Sequence, residues 1–189
     1  MSKDKNEIIL GAGEVYMYEF AGDKIPTHAE IETDVHNVAH CSGGFKVDYK
    51  PKKLEVKNQY GKTVKCFITN EEINAKTGIL TWDLNNLALV STAKFIEDSV
   101  AKTRKLTFGG GGSLKTVLLR FVHIKENGKK LRFTMIGQGG NGFSLDFNGD
   151  KELTIDADIQ AIEYIKNFLA EFEEEIDDEN IKNVKGEGK

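Results

Sequence analysis

TVLLRFVHIKENGKKLRFTMIG, residues 116–137, is the stretch whose reading decides the fold. Two runs flank residues 125–129, and in each the large apolar side chains alternate with others, as in a strand that sends successive residues to opposite faces. Between them, Asn127-Gly128 is the two-residue signal of a type I′ turn. That turn predicts a register: Ile124 opposite Leu131 and Val122 opposite Phe133 on one face, His123 opposite Arg132 and Phe121 opposite Thr134 on the other. A slip of one residue would mix the faces.

Toward the C-terminus, Phe143, Leu145 and Phe147 stand opposite Lys151, Leu153 and Ile155. Pairing Leu145 with Leu153 and Phe143 with Ile155 predicts a second hairpin turning at residues 148–150. Past Asp158 the period changes, with Ile162, Ile165, Leu169, Phe172 and Ile176 spaced by three and four. This is the seam of an amphipathic helix. The helix either caps the body or offers Ile165, Phe168, Leu169 and Phe172 to a partner on the exterior.

Toward the N-terminus, EVYMYEF at 14–20 reads as a strand with one buried face, and Phe45, Val47 and Tyr49 alternate with Lys46, Asp48 and Lys50. Pro51 interrupts that pattern. It resumes through Leu54 and Val56 to the polar turn NQYGK, followed by Val64, Cys66 and Ile68. Pairing Val56 with Val64 and Leu54 with Cys66 gives a long hairpin over about 50–68, flanked by Lys50, Lys52, Lys53, Lys57, Lys62 and Lys65. An isolated ribbon is marginally stable in water, so this one is expected to dock onto a partner. Residues 73–82 alternate again and end at Trp82, read as core. Asp83 then serves as N-cap for a short helix through Leu84, Leu87, Ala88 and Ser91. FGGGGS at 108–113 is expected to be a mobile loop.

The fold class expected is mainly β: an antiparallel sandwich or barrel over residues 1–159 with one short helix, then an acidic helix and tail over 160–189. The 189 residues, 39% hydrophobic and 30% charged, suit one soluble domain with a real core. No run of eighteen apolar residues predicts a membrane span, and residues 1–7 do not read as a leader. Cys41 and Cys66 alone make no disulfide framework and are read as reduced thiols. The net charge of −4 is uneven: residues 156–189 carry eleven acids and four bases, a net of −7, leaving +3 on the rest. A nearly neutral body lacks the basic footprint of tight DNA binding.

Three motifs suggest chemistry, and each has a plainer explanation. Gly137, Gly139 and Gly142 match G-x-G-x-x-G, but an alternating strand follows where a nucleotide-binding helix should begin. Asp146, Asn148 and Asp150 start a calcium-loop spacing without its glycine or distant Glu. His36, His40 and Cys41 have no fourth ligand at a matching distance, which favours surface histidines. No catalytic residue, metal or cofactor is assigned.

Taken in order, GAGEVYMYEF (11–20), IPTHAEIETD (25–34), HCSGGFKVDYKP (40–51), EEINAKTGILTW (71–82), LRFVHIKENGKKLRFTMIG (119–137) and GFSLDF through TIDADI resemble the tail tube proteins of phages and prophages of Gram-positive bacteria. The resemblance spans about residues 11–159. It implies a non-enzymatic virion protein, made in the host bacterial cytoplasm, whose β-sandwich or barrel forms hexameric rings stacked into the virion tail. The conduit would surround a tape-measure protein and pass DNA during ejection without binding it specifically. Tail tip or baseplate, terminator and sheath proteins are the further partners implied, and no membrane. The long hairpin would contact the adjacent ring through Lys52, Lys53, Leu54, Val56, Gln59, Tyr60, Lys62 and Val64. A DNA-free tail-like bacteriocin or injection device is the alternative, and a β-sandwich binding module a more distant one. The helix expected after residue 160 has no counterpart in the family.

Overall fold

A computed structural model describes residues 12–40, 44–79, 82–140, 142–145, 147, 150 and 155–176. In chain order the elements are β1 (Glu14–Glu19), α1 (His28–Ile31), β2 (Asn37–His40), β3 (Phe45–Lys57), β4 (Thr63–Ile79), α2 (Leu84–Leu89), β5 (Lys94–Asp98), β6 (Thr103–Thr107), β7 (Thr116–Ile124), β8 (Lys130–Gln138), β9 (Phe143–Leu145), β10 (Ile155–Ala161) and β11 (Ala170–Glu174). The fold is mainly antiparallel β.

The deciding hairpin is β7–β8, in a register one residue from that expected. Phe121 faces Phe133, Val122 faces Arg132, and Ile124 faces Lys130. The turn explains the shift. The Lys125 N–H bonds to the Lys129 carbonyl at 2.8 Å and the Gly128 N–H to the Lys125 carbonyl at 2.9 Å, so residues 126–128 form a three-residue loop. In such a loop only the last residue takes positive φ. Gly128 does, at 79°, and Asn127 does not; its side chain accepts the Lys129 N–H instead.

This register gives the hairpin two coherent faces, both buried. Val117, Leu119, Phe121, Phe133 and Met135 join one core, while Leu118, Val122 and Ile136 join a second. β1 lies beside β7 and splits the same way, with Val15 and Met17 in the first core and Tyr16 in the second.

Nine strands follow the path β2-β1-β7-β8-β10-β4-β3, with β11 added to β8 and β9 to β10. Although β3 and β7 are far apart on that path, the Phe45 ring stacks on Phe121 at 4.4 Å. The sheet therefore folds over itself into a sandwich around the first core. It is not closed into a barrel, since β2 and β3 end the path. Asp83 caps α2 as expected, accepting the Asn85 N–H at 2.9 Å, and Leu87 and Ala88 are buried. Gly139 lets the chain pass that helix: a Cβ there would lie 2.5 Å from the Val90 carbonyl oxygen. G-x-G-x-x-G thus sits between β8 and β9, two strands.

β9 meets β10 with Leu145 opposite Ile155 and Phe143 opposite Ala157, two residues from the expected pairing and so on the same faces. Leu153, Asp146 and Asn148 lie outside the described residues. β5 and β6 form a separate two-stranded sheet. Residues 108–113 have no regular structure.

The expected C-terminal helix is replaced by a turn and a strand. Ile162, Ile165 and Phe168 pack onto the second core, Ile165 and Phe168 bridge one another, and Asn167 takes a φ of 63°. β11 then pairs with β8, from Ala170 opposite Met135 to Glu174 opposite Leu131. The physical reason lies in β8. Its pairing with β10 covers only Gly137 and Gln138, so the edge from Leu131 to Met135 would otherwise be bare. A short helix with modest intrinsic stability gives way to that template.

A projecting arm as candidate assembly surface

β4 is one strand of 17 residues that joins the far side of the expected hairpin to the run expected at 73–82. Its pairing with β10 ends at Asn74 opposite Gln160, while its pairing with β3 continues to Lys57 opposite Thr63. The outer part of β3–β4 is therefore a two-stranded arm beyond the sandwich. Pro51 fits within β3 because this is a sheet-edge strand. Register shifts after Lys52 and after Val56 place Leu54 opposite Phe67 and Val56 opposite Lys65. The expected pairs Val56–Val64 and Leu54–Cys66 do not form, and Val64 falls at the second register shift, with no residue opposite it.

The arm exposes apolar groups on both faces: Leu54 (56%), Val64 (61%), Ile68 (60%) and Tyr60 at the tip (78%) are the extremes. Lys52, Lys53, Gln59 and Lys62 are exposed as well. So is the Cys66 thiol. Lys65 sits 4.7 Å from the centre of the Phe67 ring. At the tip, Asn58 Oδ1 accepts the Tyr60 and Lys62 N–H groups at 3.0 Å each, and Gly61 takes a φ of 74°. Its backbone bonds, Asn58 N–H to the Lys62 carbonyl and Gly61 N–H to the Asn58 carbonyl, repeat the 125–129 turn. Residues 50–70 hold six lysines and one glutamate, a net of +5, so the rest of the −4 chain carries −9.

At the arm's root, Tyr49 donates to Glu71 at 2.7 Å, which raises the phenol's pKa. Beside it lies a cleft of about 430 Å³ walled by Glu71, Ile73, Glu163, Phe168 and Leu169.

A second cluster fixes β11. Glu32, placed directly after α1, accepts from Arg132 at 2.6 Å and Lys130 at 2.7 Å and lies 3.5 Å from Arg120. Arg120 and Arg132 are almost fully buried, with side chains 1% and 5% exposed. Burial pushes Glu32 up, but hydrogen bonds from Arg132 and Lys130 outweigh it and hold the carboxyl below its ordinary value. Burial depresses Arg120. Glu175 bonds Arg132 at 2.8 Å, Glu173 bonds His28 at 3.1 Å, and Glu174 pairs with Lys125. Four acids thus meet four permanent cations. This arrangement locks segments together.

The hairpin residues named from the sequence come together on one arm. The C-terminal four do not share a helix face: Ile165 and Phe168 face the second core, Leu169 lines the cleft, and Phe172 lies 4.7 Å from Phe133 with two-thirds of its surface exposed. Sequence reasoning missed the Glu32–Arg120–Arg132 cluster, though a mid-strand Arg on each of the paired strands β7 and β8 was a signal. Trp82 is not core; it is 51% exposed and meets Phe147 edge-on. His36 stacks on Tyr18, 4.1 Å away. Cys41 lies outside the described residues. Among the described residues, no group of three or more His, Cys, Asp or Glu is arranged to hold a metal, and no helix is long and apolar enough to cross a membrane. No protein-family model matches the chain, and comparison with curated proteins finds no match.

Proposed function

We propose that this chain is the tail tube subunit of a tailed phage or prophage, a structural protein that assembles into stacked hexameric rings around a tape-measure protein and later passes DNA. The observation that carries the reading is the arm. The outer parts of β3 and β4, apolar on both faces and basic, have no strand partner but each other among the described residues. Surface of this kind is a liability in a lone molecule and an asset in an assembly. The order of motifs from residue 11 to 159 supplies the identity of the assembly. Tail tip, terminator and sheath proteins are the further partners of such a subunit, the virion tail its location, and a DNA-free tail-like particle the close alternative.

Negative-stain electron microscopy of concentrated protein is expected to show rings or tubes, and deletion of residues 53–65 to leave a folded subunit that cannot stack. Monomers under every condition, or tubes formed by the deletion variant at the wild-type concentration, would overturn the reading.

The exposed Trp82–Phe147 pair favours one second reading, a β-sandwich module that binds a carbohydrate or protein. Trp82 is the chain's one tryptophan. Its fluorescence should shift on titration with a true ligand and stay constant if the module reading is wrong.

A further inference from the structure

We propose that the cleft at the arm's root receives the arm tip of a second copy, an inference that rests on the assembly role given to the arm above. The two surfaces are complementary in kind. The tip presents the Tyr60 ring, and Lys62 has no ion pair among the described residues. The cleft presents Ile73, Phe168 and Leu169, with the Glu71 and Glu163 carboxylates at its margin and likewise without an ion pair among the described residues. Tyr60 would lie on the apolar floor with Lys62 between the carboxylates, an aromatic anchor beside a charge pair at its rim.

Two observations make the occupant a second copy. The arm is an extended ribbon: eight residues of β4 separate Glu71 from Thr63, about 26 Å at ~3.3 Å per residue, and Tyr60 lies in the turn beyond. The tip cannot fold back to its own root. In addition, the β10 pairing ends at Asn74, which leaves the β4 edge from Thr63 to Ile73 without a strand partner other than β3 among the described residues and open to incoming backbone. The charge agrees, since an arm of +5 meets a remainder of −9. Tip and cleft are different surfaces, so the contact is head-to-tail, and between stacked rings it repeats as an open array. Its repeat would be set by the arm, roughly 30 Å with the turn included.

The test is charge exchange in the full chain, read as the concentration at which tubes form by light scattering and microscopy. Glu163→Lys and Lys62→Glu, each alone, should raise that concentration about tenfold or more, and the double variant should return to within about threefold of wild type. Glu163 also accepts the Asn167 N–H at 2.9 Å, so its substitution can loosen the turn. If the melting temperature of that variant falls, Tyr60→Ser on the exposed tip decides instead, with the same rise expected. Charge variants and Tyr60→Ser that assemble like wild type, while deletion of 53–65 blocks assembly, overturn the cleft and spare the arm's role. Assembly by the deletion variant overturns both, as does a wild-type chain that never assembles.

Discussion

Phe45 on β3 lies flat on Phe121 of β7, the rings 4.4 Å apart and 1° from parallel. This contact ties the far end of the sheet to its middle and makes one folded sheet into a sandwich. Phe121 is buried, so Phe121→Ala should cost about 3–5 kcal/mol in urea unfolding. In a double-mutant cycle with Phe45→Ala, the pair should show a coupling of about 0.5–1.5 kcal/mol. Strict additivity would mean that the two layers are held by other contacts.

The 126–128 loop makes an ordering prediction. Only Gly128 needs positive φ, so Gly128→Val should cost about 1–2 kcal/mol. Asn127→Ala loses one side-chain bond to Lys129 N–H and should cost about 0.5–1 kcal/mol. A larger penalty at Asn127 than at Gly128, measured by thermal unfolding, would point back to a type I′ turn.

Glu32 should govern acid stability. Its carboxyl titrates lower in the folded chain than the ordinary 4.5, so the unfolded state binds more protons between the two values. The stabilisation is whole above about pH 4.5 and is lost as pH falls through the lower folded value. Glu175, held down by the Arg132 hydrogen bond and the Lys130 backbone N–H, adds loss in the same window. Glu32→Gln leaves Arg120 and Arg132 short of their shared anion and should cost about 3–5 kcal/mol at pH 7. It should also flatten the acid limb of the stability curve. An unchanged pH profile in the variant would assign that limb to other groups.

Ending the chain after Leu169 removes β11, bares β8 from Leu131 to Met135 and strips three carboxylates from Lys125, His28 and Arg132. The urea midpoint should fall by the equivalent of about 2 kcal/mol or more, with aggregation from the opened edge. A terminal helix lying loosely on the surface would change neither.

β1, β3, β7 and β8 were legible because alternation survives whatever the register, and α2 because Asp83 stands before a helical spacing; β2, β5, β6 and β11 were not read as strands. Registers were harder. Gly128 as the third residue of a loop looks the same in sequence as the second residue of a tighter one, and Gly61 repeats the ambiguity at the arm tip. α1 went unread, although Thr27 and Glu30 signal it: the Glu30 carboxylate caps the Thr27 N–H at 2.7 Å. The C-terminal spacing pointed to the wrong element. Glu173, Glu174 and Glu175 would crowd the negative end of that helix, a warning in the sequence that the strand was the better home for them. Beyond their mid-strand positions, nothing local announced that Arg120 and Arg132 are buried, because their partner, Glu32, is distant in the chain.

Concentrating +5 on one slender projection while −9 remains elsewhere gives the molecule a large electric dipole along the arm. Two such molecules turn into alignment before they touch, over a range that shrinks from ~30 Å at 0.01 M ionic strength to ~8 Å in physiological salt. In the proposed assembly, ionic strength would therefore set how fast copies find one another, apart from how tightly they hold.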